Sequence, residues 1–141
     1  MIKMFKETPP FTISSFYNFI GKKQLMASKC LECGTVLLPP KPMCSNCLST
    51  NLKWIELRGV GKLLSYTVIH IAPPQFQAMT PYTVGIVELK SGPRLPGMLR
   101  NEHGDPIPKE RVRVGMDLEI DFETTLLTQW PSWPRYFFRP L

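Results

Sequence analysis

Histidine and cysteine, two side chains that often carry enzyme chemistry, are both scarce in this chain. Its 141 residues include two histidines and four cysteines. The G-x-S-x-G, H-E-x-x-H, P-loop and G-x-G-x-x-G patterns of common hydrolases, metalloproteases and nucleotide-binding proteins are also missing. His70 is predicted to end a strand, and His103 lies in a polar segment, so a catalytic role is indicated for neither. The sequence therefore gives little support to an enzyme.

Long apolar stretches are missing as well. No run approaches the roughly 20 apolar residues of a membrane-spanning helix, and residues 1–10 lack the apolar stretch of a signal peptide. Hydrophobic residues make up 43% and charged residues 20% of the chain, which is typical of a globular protein. Because no export signal is seen, we expect a protein of the reducing cytoplasm.

The four cysteines form two C-x2-C pairs, Cys30 with Cys33 and Cys44 with Cys47. Two such turns can supply four thiolates in a tetrahedron, the arrangement of structural zinc sites. Gly34 follows the first pair, where the chain must reverse with a positive φ. Two disulfides, four unrelated thiols or a redox C-x-x-C are the alternatives, and the last would normally accompany a βαβ pattern that is not seen here. We predict a zinc ribbon with one closed, structural Zn²⁺ site.

The chain carries a formal charge of +6. Four thiolates around Zn²⁺ contribute a net negative charge of two, which leaves about +4. This excess favours an anionic partner, either a phosphate-bearing cofactor or nucleic acid. The acidic residues of 116–123 alternate with apolar ones, so we expect one core face and one ordinary solvated face.

Three regions are predicted along the chain, a tail and short helix over 1–27, the zinc ribbon over 28–58 and a β domain over 59–141. Thr12 or Ser14 can cap the helix, and Gly21 ends it. Its aromatic stripe, which includes Phe16 and Phe19, either packs on the protein's own core or docks on a partner.

The β domain is predicted to hold five or so short antiparallel strands, which indicates a small closed barrel of the OB type. A sandwich fits the strand count nearly as well. Gly85 is expected at a bulge or close backbone approach, and Pro96-Gly97 indicates an edge or bulged strand. Leu126-Leu127 and the turn at 130–134 are expected to close the set. The fold class is thus mainly β: a short helix, a rubredoxin-like zinc ribbon and a five-stranded OB-fold barrel.

The order of these motifs resembles a known family, the zinc-ribbon/OB-fold proteins called acyl-CoA-associated, long labelled a domain of unknown function. The resemblance covers about residues 14–140. Its most specific part is the Gly-x-Gly segment that runs into Ser-Tyr-Thr-Val-Ile-His, with Pro-Tyr downstream; Met43 departs from the pattern before the second knuckle. The matching segments are Cys30–Gly34, Pro39-Pro40, Cys44–Cys47, Trp54, Gly59–His70, Pro81–Leu89 and Val114–Met116.

The resemblance implies an accessory protein without catalytic residues of its own. Such proteins bind acyl-CoA or bridge CoA-dependent enzymes, and the implied partners are a thiolase, a 3-hydroxy-3-methylglutaryl-CoA (HMG-CoA) synthase or an acyl-CoA hydratase. We predict that ligand contacts, if acyl-CoA is bound, come from Lys62, Tyr66, Phe76, Arg94 and Arg100. A single-stranded nucleic-acid binder that uses the same cations and aromatics together with Trp54 is the alternative. A hydratase-like or acyl-transfer enzyme is the third hypothesis.

Overall fold

The computed structural model describes residues 8–74, 76–123 and 135–141. The predicted segments at Leu126-Leu127 and 130–134, and most of the predicted tail, lie outside these residues. Within them the chain forms one α-helix, eight strands and two short 3₁₀ turns. None of the helices described is long and apolar enough to cross a membrane.

Helix α1 spans Ile13–Ile20 and has the capping that the sequence predicts. The Thr12 hydroxyl oxygen accepts the backbone N–H of Ser15 at 3.2 Å, and the backbone N–H of Gly21 closes the other end on the carbonyl of Tyr17 at 3.0 Å. Phe16 and Ile20 are buried in the main core. Of the two uses foreseen for the stripe, packing on the protein's own core is the one that the structure shows for these two side chains.

The zinc ribbon is a three-stranded antiparallel sheet with the order β2-β1-β3, built from β1 Met26–Cys30, β2 Val36–Leu37 and β3 Leu52–Glu56. Its own buried cluster contains only Cys30, Leu37 and Cys44, with Leu52 packed beside them. Because so little apolar surface is buried there, a bound metal must supply much of the stability of this module.

The second module is a closed five-stranded barrel, which confirms the OB-type prediction and excludes the sandwich. The strand order around the barrel is β4-β5-β6-β8-β7. A 3₁₀ turn at Gln77–Met79 lies between β4 and β5, and another at Lys109–Arg111 lies between β6 and β7. The strands are β4 Val60–Ile69, β5 Tyr82–Leu89, β6 Arg94–Leu99, β7 Asp117–Glu123 and β8 Arg135–Pro140.

Two glycines mark positions where a side chain has no room. A Cβ on Gly85 would meet the Leu63 side chain, which confirms the predicted close approach; the bulge itself lies in β4, between Leu63 and Ser65. A Cβ on Gly97 would lie 2.7 Å from the Phe138 ring. Strand β6 pairs with β8 only at Leu99. Pro96 and Gly97 therefore lie on a part of β6 that has no backbone pairing with β8, where a proline is tolerated.

Helix, ribbon and barrel share one apolar core. Phe16 and Leu25, which precede the barrel in the chain, pack with Leu63 and Phe138 of the barrel. Leu57, just after β3, packs against the same cluster. The helix and the base of the ribbon are therefore fixed to the barrel, while the cysteine turns lie at the far end of the ribbon.

Candidate metal centre and ligand surface

The four cysteine sulfurs lie together in the arrangement of a tetrahedral zinc site. All four Sγ atoms are within 4.8 Å of one another, with 3.5 Å between those of Cys30 and Cys47 and 3.6 Å between those of Cys33 and Cys44. Zinc–sulfur bonds of about 2.3 Å in a tetrahedron place the sulfurs about 3.8 Å apart. None of the four is in a disulfide. The donor set fits Zn²⁺, and this arrangement favours a metal site over the disulfide alternative.

The two C-x2-C turns have nearly the same backbone. In the first, the carbonyl of Cys30 accepts the N–H of Gly34 at 3.0 Å; in the second, the carbonyl of Cys44 accepts the N–H of Leu48 at 3.0 Å. Gly34 has φ of 81°, as the sequence predicts, and Leu48 has φ of 64° at the equivalent position. A left-handed leucine that is 69% exposed is unusual and costs free energy.

Hydrogen bonds favour the thiolate form of Cys33 and Cys44. The side chain and then the backbone of Thr35 hold the pKa of the Cys33 thiol down to about 5. The backbone N–H of Cys47 lowers the pKa of Cys44. The backbone of Ser49 also lowers the pKa of Cys47, but the neighbouring sulfurs, that of Cys30 first, together with partial desolvation outweigh it and raise that pKa to about 12. Four thiolates so close together need a dication to coexist.

Such a site would hold zinc with four protein ligands and no free position. The cluster contains four cysteines and no histidine or carboxylate among the described residues. A site of this kind stabilises a fold and offers no coordination position to a substrate or a water. Cys30 and Cys44 are buried, while Cys33 and Cys47 are exposed.

Two of the predicted ligand contacts are cations that already have carboxylate partners. Lys62 Nζ lies 2.8 Å from Asp117 Oδ1, and Arg94 Nε lies 3.3 Å from Glu88 Oε2. The hydrogen bond and charge of Lys62 lower the pKa of Asp117. Both pairs are solvent-exposed, so each contributes little to stability and can be exchanged for another partner.

Arg100, the third predicted cation, is buried and 6% exposed. Its Nη1 donates to Glu123 Oε2 at 3.2 Å, and its guanidinium lies over the Phe137 ring at 5.2 Å. A ligand could reach the Arg100 guanidinium only by breaking that pair, which argues against the predicted ligand contact at Arg100. The reason lies in the barrel closure, which brings the end of β7 to the end of β6.

The five predicted residues do not form one site. Arg94 begins β6 and Arg100 directly follows it, six residues further on, which is about 20 Å in extended chain. Tyr66 is 41% exposed on β4. Phe76 packs against Tyr82 with 6.4 Å between ring centroids. No single phosphate can contact Lys62, Arg94 and Arg100 together.

The acidic face of β7 differs from its prediction as an ordinary solvated face. Arginines of β8 lie directly across from its carboxylates: Arg139 bonds both Glu119 and Asp121 at 3.1 Å, and Arg135 lies 3.6 Å from Glu123. These side chains are half-buried. The alternation of a core face and a polar face is as predicted, with Leu118 and Ile120 buried. The ion pairs are an addition, because the prediction treated β7 without the adjacent strand that carries the opposite charges.

Two clefts at one end of the barrel were not predicted from the sequence. Cleft A, about 250 Å³, lies between the barrel end and the loop from β6 to β7; it is lined by Val68, His70, Pro81, Thr83, Ile107, Pro108, Lys109 and Glu110. Cleft B, about 300 Å³, is lined by Asn101, Ile107, Pro108, Arg111, Met116 and Pro140. The signal that could have indicated them is the group of three cations within 109–113.

A zinc ribbon followed by a closed OB barrel defines a class of two-module proteins, and family models place the chain within it. Residues 22–53 match the rubredoxin-like zinc ribbon domain of ChsH2, and residues 54–123 match the C-terminal OB-fold domain of ChsH2. The chain belongs to the DUF35 family of zinc-ribbon/OB-fold proteins. The resemblance that the cysteine and Ser-Tyr-Thr-Val-Ile-His motifs carry is therefore confirmed.

Named relatives fall into two kinds. A DUF35 domain-containing scaffold protein of Methanocaldococcus jannaschii is 35% identical over 99 residues, which are 70% of this chain and 67% of the relative. A probable enoyl-CoA hydratase alpha subunit of Thermomonospora curvata is 33% identical over an alignment 141 residues long. That alignment covers 94% of this chain and 42% of the longer relative. Relatives are thus named both as scaffolds and as parts of larger subunits.

Among solved structures, the chain is similar to a chain in the structure of the Ltp2-ChsH2(DUF35) aldolase. The two chains are 29% identical with a TM-score of 0.74, and the match covers 96% of this chain and 98% of the other. Nearly every part of the present fold therefore has a counterpart in that chain.

Proposed function

We propose that this protein is a non-catalytic scaffold subunit that binds an acyl-CoA enzyme. The observation that carries the proposal is the end-to-end match to a chain of the Ltp2-ChsH2(DUF35) aldolase. Relatives named as scaffold proteins and as a hydratase alpha subunit support the same role. The first candidate partners are a hydratase or an aldolase acting on acyl-CoA, and a thiolase or an HMG-CoA synthase follows.

The chemistry of the chain supports a subunit without turnover of its own. Its metal cluster has four cysteines and leaves no position for a substrate. His103 is exposed and lies 3.6 Å from Glu102, an arrangement common on protein surfaces. One Zn²⁺ per chain would hold the ribbon as a rigid arm on the barrel, which is what a bridging subunit requires.

The proposal is tested by an activity assay on separated and mixed components. The protein and a candidate hydratase or aldolase from the same genome are purified alone and after co-expression. We expect no turnover by the protein alone, and higher or more stable activity of the enzyme in its presence. Turnover of an acyl-CoA by the purified protein alone would contradict the proposal and restore the enzyme hypothesis.

Single-stranded nucleic acid is the second candidate, because OB barrels commonly bind it and Tyr66 is exposed on a barrel strand. The pairing of Lys62 and Arg94 and the burial of Arg100 count against it. Fluorescence anisotropy with a labelled oligonucleotide at low salt decides: a binding curve that weakens steeply with salt supports nucleic acid, and a flat curve removes it.

A further inference from the structure

Eight of the nine lysines and arginines within 59–141 fall into two groups; the ninth, Lys90, is exposed at the turn after β5, and its charge helps to lower the pKa of Asp117. Those on the strands are neutralised by carboxylates of adjacent strands; they are Lys62, Arg94, Arg100, Arg135 and Arg139. Those on the loop from β6 to β7, at Lys109, Arg111 and Arg113, have no carboxylate or other side-chain partner among the residues that the structure describes. Among the described residues of this module, three of the four cations without an ion-pair partner therefore lie on one loop.

This loop is held in place at both ends. Ile107 and Val112, on either side of the 3₁₀ turn, are buried in the main core. The N–H of Ile107 bonds the carbonyl of Leu99 at 3.4 Å, and the N–H of Val112 bonds that of Lys109 at 3.1 Å. The exposed cations thus extend from an anchored backbone, which lowers the entropy cost of binding an anion.

Both clefts lie against the same loop. Ile107 and Pro108 line cleft A and cleft B alike, so these two residues form a shared apolar wall. Together the clefts fall within the volume range of small-molecule sites, about 300 to 1,000 Å³. Lys109 lines cleft A, and Arg111 lines cleft B on the other side of the turn.

Cleft B is the better site for an anion. No carboxylate side chain lines it, whereas Glu110 lines cleft A. Arg113 is close to cleft B, since its backbone N–H lies 3.4 Å from the Sδ of the lining residue Met116. The Asn101 side-chain oxygen accepts the N–H groups of His103 and Asp105, which leaves its NH₂ group as a further donor. Asp117 is near cleft B, because its carbonyl accepts the N–H of Leu141 beside the lining residue Pro140. Its carboxylate, however, is paired with Lys62.

We propose that cleft B binds the phosphate end of a phosphorylated small molecule through Arg111 and Arg113, and that a slender, partly apolar arm of the same ligand crosses Pro108 into cleft A. Guanidinium groups suit phosphate because they present paired N–H donors at fixed geometry. The mixed lining of cleft A, apolar with His70 and Lys109 at its edge, suits an arm that carries amides. The inference rests on the proposed function for its choice of coenzyme A as the natural type of ligand.

The test is calorimetric titration of the zinc-loaded protein with four probes. Coenzyme A has both phosphates and arm, adenosine 3′,5′-bisphosphate has the phosphates alone, pantetheine has the arm alone, and a ten-residue oligothymidylate presents phosphates on a polymer. The variant is Arg111→Met with Arg113→Met. The matched control is Lys41→Met with Lys53→Met, which removes two exposed ribbon cations.

We expect coenzyme A to bind most tightly, the bisphosphate less tightly and pantetheine weakest. The arginine variant should weaken coenzyme A and the bisphosphate by about tenfold or more and leave pantetheine unchanged. The lysine control should stay within about twofold of the unmodified protein. All substituted residues are exposed, so both variants are expected to fold, which far-ultraviolet circular dichroism checks.

Three results would overturn the proposal. Coenzyme A does not bind, or it binds the arginine variant as tightly as the unmodified protein. The third is that the oligothymidylate binds the unmodified protein more tightly than coenzyme A and displaces it. The last would assign the arginines to nucleic acid. The proposed scaffold role is tested separately, by complex formation without coenzyme A, so failure of one inference is distinguishable from failure of the other.

Discussion

The conformation of Leu48 is the clearest departure from low-energy backbone in the metal-binding module. Gly34 and Leu48 occupy the same position after the two C-x2-C turns, with φ of 81° and 64°. Glycine adopts this region freely, whereas an L-residue with a side chain is strained there by about 1–2 kcal/mol. Leu48 is 69% exposed, so packing contributes little to offset that strain.

Leu48→Gly is therefore expected to raise the free energy of unfolding by about 0.5–1 kcal/mol, after the greater flexibility of glycine in the unfolded chain is deducted. Gly34→Ala is the matched opposite change and should lower it by about 1 kcal/mol. Denaturant unfolding of the zinc-loaded proteins measures both. A loss of stability in Leu48→Gly would show that the leucine side chain makes a stabilising contact.

At the level of elements, β6, β7 and β8 are joined by ion pairs as well as by their ladders. Arg100 at the end of β6 and Arg135 at the start of β8 both approach Glu123 of β7. The Arg100 side chain is 7% exposed, and that of Glu123 is 31% exposed. A pair buried to this degree is costly to break on one side, because a charged partner is left behind.

Arg100→Met is expected to lower the free energy of unfolding by about 2 kcal/mol, less than for a fully buried pair because Arg135 remains near Glu123. Arg94→Met removes an exposed pair of the same type and should change it by less than about 1 kcal/mol. Chemical denaturation compares the two. Equal losses would contradict the assignment of Arg100 to a buried structural role.

The ribbon depends on its metal far more than the barrel does. Its separate core consists of Cys30, Leu37 and Cys44 with Leu52, whereas the barrel lies on the large core that it shares with helix α1 and the base of the ribbon. Removing one thiolate should therefore unfold the cysteine turns and leave the barrel strands paired.

Cys44→Ser is expected to remove hydrogen-exchange protection from the backbone amides of 30–51 and to leave that of β5 Tyr82–Leu89 within about tenfold of the unmodified protein. Ser45→Ala, at the exposed neighbouring position, is the control and should change neither. Simultaneous loss of protection in both modules would show that ribbon and barrel unfold as one unit through their shared core.

Local patterns predicted the elements well, and contacts between distant elements were predicted poorly. The sequence predicts the closed barrel of short strands and, from the cysteine spacing, the metal cluster, because both depend on patterns of neighbours in the chain. The pairing of Glu123 with Arg100 and Arg135 depends on how the barrel closes. The alternation of acidic and apolar residues in β7 does not reveal which strand lies beside it.

The ligand surface was the hardest part to predict for the same reason. Arg94 and Arg100 were chosen for charge, and the structure shows one paired at the surface and one buried. The clefts form where a loop crosses the barrel end, and their lining residues come from distant parts of the chain. The cations of 109–113 are visible in the sequence, but their position beside apolar clefts is not.

At the scale of the whole molecule, a shared core joins the helix and the base of the ribbon to the barrel. Phe16 and Leu25 join the helix and the base of the ribbon to Leu63 and Phe138 of the barrel. Modules joined in this way suit a scaffold, because a partner bound to one module is held close to the other.

The most direct test of the scaffold role is the mass of the complex in solution. The zinc-loaded protein and an acyl-CoA hydratase or aldolase from the same genome are co-expressed and measured by size-exclusion chromatography with light scattering. We predict a single species whose mass equals a fixed stoichiometric sum of the two, and loss of that species with Cys44→Ser. Separate elution of both proteins at micromolar concentration, with each candidate enzyme in turn, would contradict the account.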